Sequence, residues 1–567
     1  MTKSIYKFSS KALAVQFPYD SRLVDEMRKF PVRRWDKESK LWLVSICDDN
    51  IEILKNNPIF KKFAWDKKTK ELINGYQQKQ KDFKKITEQK ISNLKIPGLK
   101  TKLYPYQLVG VEFIDKIGSC LIADEQGLGK TAQALAWLQL RTKVRPVLVI
   151  CPATLKLNWE IEVDKWMTKN NSVQVIIAGN KIKDSDILII NYDIVDRYLE
   201  KLKEIKFQCI IIDESALIKN IKAKRTKAIL KLAKKIPHVL CLSGTPFLNR
   251  PVEMFNTLQL ISPSAFSNFW QYAFKYCNAT KGYWGWNFDG ASNTDELANK
   301  LSKSIMIRRE KKDVLKDLPA KTRVLLPQDV NLSEYNREEK LLADWIRQNK
   351  ITGESSGGDH LVKIEKLKQV ALKAKYKEFV EWIKDFADMT GQKIVVFVHH
   401  REYIDLLLKD LKKFNPVSIV GGDAIQKRQD VIEMFQNKRS HRIIVCSMKA
   451  AGVGITLTKA STVAFFELGW NYQEHVQCED RTHRIGQKDN VTAYYFIAKR
   501  TIEEDIYELL ESKKKVFDEI MQTSNLIDVK TKDLGGVYKE LLNKIINKYD
   551  KKGGKKNKKY PSKEQRV

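Results

Sequence analysis

The chain has no stretch of about 18 uncharged apolar residues, the length a helix needs to cross a bilayer, so no membrane span is expected. Its start, MTKSIYKFSSKALAVQFPYD, lacks the apolar core of a signal peptide. Cysteine is sparse: eight in 567 residues, none in a CxxC pair. Several of them close apolar, strand-like runs. That pattern gives no zinc site and reads as buried thiols in a reducing compartment. There are no internal repeats. Acid is short relative to base, 69 against 102, for a formal net charge of +33. Such a surplus favours a polyanionic partner through phosphate attraction and counterion release. Charge alone does not separate DNA from RNA or from an anionic membrane.

What is present sorts into segments, since 567 residues exceed a single core. Residues 1–75 carry a small α+β pattern. LAVQFPY reads as a strand, SRLVDEMRKF as a helix, and RRWDKESKLWLV as two short strands about a polar turn. Residues 76–101 are polar and Lys-rich, a linker or solvated helix. From about 102, apolar runs without strict alternation (CLIA, VLVIC, ILIIN, CIIID, VLCLS) separate helical stretches, as in a parallel sheet buried on both faces. Residues 262–310 interrupt with aromatics, and Trp270, Trp284 and Trp286 read there as core packing. Residues 102–325 therefore form one α/β lobe with an insertion, and 326–375 a helical linker between lobes. A second α/β lobe spans 376–545, and 546–567 is a basic disordered tail.

A nucleotide site is legible in CLIADEQGLGKTAQALAWL. A Gly-rich turn stands between a strand and a helix, the setting of a phosphate-binding loop. Lys130 would reach the β- and γ-phosphates, and the Thr131 hydroxyl would ligate Mg²⁺. Asp124 stands where the first glycine of GxxxxGK[ST] belongs. CIIIDES ends a buried strand with Asp213, placed for Mg²⁺, and Glu214, placed to take a proton from the attacking water. QCEDRTHRIGQ then offers Arg481 and Arg484, three apart and on one face if helical. If the lobes face each other across a cleft, these act as arginine fingers on the γ-phosphate. A solvated basic face is the bland alternative. His399 and His400 read as a strand-end pair with no metal role.

This ordered set resembles the Snf2 family of superfamily 2 DNA translocases, from about 103 to 515. LYPYQLVGV is similar to the family's Q motif, DEQGLGKT to motif I, CPATLKLNW to motif Ia, DESA to motif II and LSGTP to motif III. RREKKDVLKDLPAK resembles the inter-lobe segment, SMKAAGVGITLT motif V, and QCEDRTHRIGQ motif VI. The resemblance implies two RecA-like lobes and ATP with Mg²⁺ as cofactors. It implies ATP contacts from Gln107 (adenine-reading), Asp124, Gln126, Gly127, Leu128, Gly129, Lys130 and Thr131. Metal ligation falls to Thr131 and Asp213, and catalysis to Glu214, Gln477, Arg481 and Arg484. Coupling falls to Ser243, Gly244, Thr245, Gly452 and Gly454. Ala216 departs from the family, which commonly has His there. YCNATKGYWGWNFDGASNTDEL, FVHH and the N-terminal pattern resemble the HepA-related annealing helicases and their HARP domain.

The expected partner is double-stranded or branched DNA, with a single-strand-binding protein beside it, no membrane, and no metal beyond Mg²⁺. The N-terminal hairpin with Arg33, Arg34 and Trp35 could stack on unpaired bases, or could be plain packing. Two other functions compete with strand rewinding: a Snf2 motor that displaces or repositions DNA-bound proteins, and a non-catalytic nucleic-acid scaffold. Location is expected to be cytoplasmic, at the nucleoid, in a prokaryote or virus, and nuclear in a eukaryote.

Overall fold

The computed structural model describes residues 3–9, 12–89, 91–168, 171–244, 250–282, 285–352, 357–451, 454–521 and 544–545. The chain divides into two compact units, one mainly Met1–Lys316 and the other mainly Asp317–Phe517. The tail expected at 546–567 lies outside the described residues. No helix among the described residues is long and apolar enough to cross a membrane.

The first unit begins with a five-stranded sheet. Its strands are β1 (Ser4–Lys7), β2 (Ala12–Gln16), β3 (Arg33–Asp36), β4 (Leu41–Ser45) and β5 (Ala64–Trp65), in the order β3-β4-β2-β1-β5. Ile5, Leu13 and Val15 point to one face, where they bury Met27, Phe30, Leu54 and Phe60. Helix Ser21–Arg28 starts where the Asp20 carboxylate accepts from the Arg22 and Leu23 N–H groups, an N-cap the sequence spells directly. Helix Lys67–Glu88 starts the same way, on Asp66. Its residue Ile73 belongs to the sheet's core. The expected boundary at 75/76 therefore falls inside this helix, which continues through the first half of the stretch expected to be a linker or a solvated helix.

The same unit continues into a seven-stranded, all-parallel sheet. Its strands are β6 (Cys120–Ile122), β7 (Val147–Cys151), β8 (Val173–Val175), β9 (Ile187–Asn191), β10 (Cys209–Asp213), β11 (His238–Leu242) and β14 (Met306–Ile307). β7, β9 and β10 are buried at every residue, as a sheet covered on both faces requires. The order is β14-β6-β11-β10-β7-β9-β8. The phosphate-loop strand β6 and the acidic strand β10 are thus not neighbours: β11 stands between them. The insertion carries a two-stranded hairpin, β12 (Thr280–Gly282) and β13 (Gly285–Asn287).

The second unit is a six-stranded parallel sheet in the order β15-β20-β19-β16-β18-β17. These are β15 (Lys321–Gln328), β16 (Ile394–Val398), β17 (Val417–Ile419), β18 (Ile443–Ser447), β19 (Thr462–Phe465) and β20 (Val491–Ala498). β15 pairs along its whole length with β20, so the expected boundary at 325/326 cuts a strand. The linker expected at 326–375 is likewise part of this unit. Tyr335, Leu342, Ile364 and Leu367 pack into its core. Lys375 is fully buried, 2.8 Å from Glu503, and donates to the Phe496 carbonyl.

Candidate nucleotide site

The loop between β6 and helix Lys130–Leu140 turns on two left-handed glycines, Gly127 (φ +85°) and Gly129 (φ +76°). A side chain at Gly129 would also collide with the Gln107 amide. The Lys130 ammonium donates to the carbonyls of Asp124 (2.8 Å) and Glu125 (3.3 Å), inside the loop's curve. Burial holds its pKa below the usual lysine value, against the pull of Glu214, Asp124 and Asp213. Thr131 follows at the helix start, half-buried.

Two residues expected to contact ATP have side chains engaged within the protein. Gln107 is buried. Its Oε1 accepts from the Tyr104 N–H (2.9 Å) and its Nε2 donates to the Leu128 carbonyl (3.1 Å). It braces the phosphate loop, so the adenine-reading role expected of it meets an engaged side chain. Asp124 is fully buried and faces protein. Arg309 grips it through Nε (2.8 Å) and Nη2 (2.5 Å), and Gln133 donates to the same carboxylate at 2.9 Å. Arg309 also donates to the Tyr106 carbonyl and to Gln133 Oε1. Asp124 is therefore the anchor of an ion pair under the loop. The neighbouring Arg308 donates to the carbonyls of Ala123 and Gly244. Neither arginine was assigned from sequence. Their only sequence signal is the RR at the head of RREKKDVLKDLPAK.

Asp213 closes β10. Trp159 Nε1 donates to its Oδ2 (2.8 Å), and the Glu214 N–H donates to its Oδ1 (3.1 Å). Burial first, then the Glu214 charge, push its carboxyl well above the usual carboxylate range. Glu214 itself sits in the left-handed region (φ +54°), a conformation costing roughly 1–3 kcal/mol for a residue with a Cβ. The Tyr192 hydroxyl donates to the Asp213 carbonyl (2.6 Å), holding the turn from behind. Trp159 and Tyr192 escaped sequence reading, although Trp159 ends CPATLKLNW. A buried carboxylate with only two donors on it is an oxygen ligand of the type that suits a hard divalent cation.

β11 brings Ser243 and Gly244 between these groups. The Ser243 N–H donates to the Ile122 carbonyl (3.1 Å). Gly244 lies so close to the loop that an added Cβ would stand 2.6 Å from Gln126 Cγ and 3.3 Å from Lys130 Nζ. Gln126 is buried against it. Ala216 is buried in the turn after Glu214. Thr245 and Gly452 lie outside the described residues.

In the second unit, helix Tyr472–Glu479 ends before the arginines. Arg481 and Arg484 stand in the turns that follow, so a shared helix face does not align them. They converge another way: Nη1 of each donates to the Ile455 carbonyl, at 3.4 and 3.1 Å. Arg481 is buried and also donates to the Gln477 carbonyl (2.9 Å); Arg484 also donates to Thr456 Oγ1 (2.7 Å). Neither is the solvated basic face. Gly454, at φ +84°, precedes Ile455 and lets the chain make this turn.

His400, Glu365 and Glu467 bring ligand-type atoms together. The cation among them is Lys368, its Nζ 2.8 Å from Glu467 Oε1 and its side chain buried. The cluster is an ion-pair network. Hydrogen bonds to Glu365 and Glu467 raise the His400 pKa to about 9. Arg33, Arg34 and Trp35 are all exposed on β3. Trp270 and Trp286 are 45% and 41% exposed, which corrects their reading as core; Trp284 lies outside the described residues.

Residues 42–375 match the model of the SNF2-related domain, and 374–486 that of the helicase conserved C-terminal domain. The chain is 31% identical over 520 residues to the SWI/SNF-related matrix-associated actin-dependent regulator of chromatin subfamily A-like protein 1 homolog of Caenorhabditis elegans, covering 90% of this chain and 74% of that protein. It is 33% identical to the Xenopus tropicalis counterpart, covering 79% and 48%. With the DNA annealing helicase and endonuclease ZRANB3 of Mus musculus it shares 33% identity over 74% of this chain and 40% of that protein. Among solved structures, the Sulfolobus solfataricus SWI2/SNF2 ATPase core in complex with dsDNA aligns at 29% identity, 76% and 95% coverage, and a TM-score of 0.38.

Proposed function

The chain belongs to the SNF2-related family, and from that premise we propose that it is a DNA-dependent ATPase that translocates on double-stranded or branched DNA and rewinds or remodels it. The observation that carries this reading is the convergence of charge at the C-terminal ends of the first parallel sheet's strands. Lys130 on its loop, the buried Asp213 at the end of β10 and the half-buried Glu214 after it feel each other electrostatically. Phosphoryl transfer needs little else: positioning, charge neutralisation and a base for water. Lys130 binds the β/γ-phosphates, Gly127 and Gly129 let backbone N–H groups face them, and Glu214 takes the water's proton. Thr131 and Asp213 would hold Mg²⁺, which when bound would supply charge neutralisation on the phosphates. Arg481 and Arg484, with Gln477 beside them, supply positive charge to the transferring group. The net charge of +33 supports a nucleic-acid track. The work would place the protein at the nucleoid or in the nucleus, beside a single-strand-binding protein.

The test is ATP hydrolysis measured with no DNA, single strands, duplex and forks in parallel. Stimulation by duplex or forked DNA, together with faster reannealing of a protein-coated bubble, is expected. Hydrolysis indifferent to every DNA would refute the motor, and DNA binding with no hydrolysis would make the chain a scaffold.

A further inference from the structure

The N-terminal sheet does not stand apart from the first parallel-sheet lobe. Gln271 of the insertion donates through Nε2 to the Pro31 carbonyl, and Lys300 Nζ lies 2.9 Å from Asp49 Oδ2. Between them the two parts enclose a groove of about 960 Å³. One wall is β3, with Arg33, Arg34 and Trp35. The facing wall is the start of helix Phe269–Tyr276, with Asn268 and Phe269. Arg28 adds a third guanidinium, and among the described residues that line the groove none is acidic.

Two of these groups are held in place. Arg33 donates to the Phe30 carbonyl (2.6 Å), and Arg28 pairs with Asp25. Trp35 lies against Trp42 across the hairpin, ring centroids 5.3 Å apart, yet stays 44% exposed. A second concavity of about 500 Å³ opens on the other side of the Gln271–Pro31 contact. There Trp270 and Phe274 meet Trp286 of the β12–β13 hairpin edge to face, at 5.6 and 5.0 Å. All three rings are exposed. Exposed aromatics thus run from the N-terminal hairpin onto the lobe's insertion.

We propose that this groove seats an unpaired DNA strand, with bases stacking on Trp35 and the path continuing toward Trp270 and Trp286. The inference rests on the reading of the chain as a DNA motor and names where that motor holds a strand outside a duplex. Duplex hides its base faces, so exposed rings serve only unstacked bases. Arg33 and Arg34, which form no salt bridge among the described residues, suit the phosphates of the same strand. An apolar peptide would leave the exposed Arg33 and Arg34 facing it with no anion to pair with. The groove therefore gives the module a reason to be tied to the lobe: a strand lying in it touches both.

The test is binding of oligothymidylate to the full chain without nucleotide, followed by intrinsic tryptophan fluorescence. Trp35→Ala should weaken binding roughly tenfold or more, the usual effect of removing one stacking ring. Trp35→Phe should recover most of it. Arg34→Ala should flatten the salt dependence by about 0.7 in log–log slope, as for one phosphate contact on a single strand. Tyr19→Ala, which removes an exposed ring of the same module outside the groove, should change nothing. Trp35→Ala binding like wild type, or Tyr19→Ala weakening binding as much, would overturn the proposal. The assay needs no hydrolysis, so a chain that binds at this groove but never turns over ATP would sink the motor and leave the groove.

Discussion

Arg309→Ala should damage the protein more than any surface arginine would. Asp124 has no exposure, and its Oδ1 receives a hydrogen bond from Arg309 alone (2.8 Å). Oδ2 keeps Gln133 at 2.9 Å when Arg309 is gone. Truncation thus strands a buried carboxylate, half-satisfied, and removes the donor to the Tyr106 carbonyl and to Gln133 Oε1. Breaking a buried pair from one side costs about 3–5 kcal/mol. The reverse change, Asp124→Ala, is milder. The Arg309 side chain is 13% exposed and keeps its two other acceptors, so a loss of about 1–3 kcal/mol is expected. Making both changes removes the stranded charge. The double variant should therefore be less destabilised than the sum by about 2 kcal/mol, within the range for residues in one network.

Thermal unfolding of the four proteins at one pH and salt closes this cycle. Titration with a fluorescent ATP analogue reports the second effect. The Asp124 carbonyl is an acceptor for Lys130, so Arg309→Ala should also weaken nucleotide binding. Single losses that add to the double within about 0.5 kcal/mol would refute the ion pair as the loop's anchor. So would an Arg309→Ala protein that melts with wild type.

Four further outcomes are expected. Lys130→Ala should abolish hydrolysis and leave DNA affinity largely intact, measured by filter binding beside phosphate release. Glu214→Gln should bind ATP without turning it over; wild-type hydrolysis by that variant would show that another group is the base. Arg481→Ala and Arg484→Ala should lower kcat far more than DNA affinity, whereas an arginine gripping the DNA backbone would lose affinity and one unit of salt slope. His400 has a folded pKa of about 9 against 6.5 unfolded, so its contribution to stability is complete below pH 6.5 and lost as pH rises through 9. His400→Gln should flatten the fall in melting temperature across that window, read by scanning calorimetry.

The elements that sequence reading found are those whose cause is local. Asp20 caps the helix that follows it within three residues. The apolar runs CIIID and ILIIN became β10 and β9 because a strand buried on both faces has no polar position to vary. Boundaries failed where the cause is distant. Nothing in VLLPQ announces that β15 will pair with β20 some 170 residues on. Residues 76–101 read as a linker or a solvated helix, and the start of helix Lys67–Glu88 escapes sequence reading because only the turn around Ile73 ties it to the module's core.

The candidate site divides along the same line, and the division has a physical basis. Groups that meet phosphate, metal or water must sit on short turns at strand ends, so their chemistry is written in contiguous motifs such as GLGKT and DES. Groups that hold those turns can come from anywhere the fold brings near. Arg309 reaches Asp124 across 185 residues, Trp159 reaches Asp213 across 54, and Tyr192 holds the Glu214 turn across 21. Asp124 shows why this matters. In the motif it stands beside the phosphate-binding residues, and only the folded chain shows that its carboxylate faces the protein. A motif position is thus evidence of proximity to the chemistry. Whether the side chain touches the substrate or braces the loop that does is settled by what else the fold packs against it. For Asp124 that is a guanidinium and an amide with no exposure to spare.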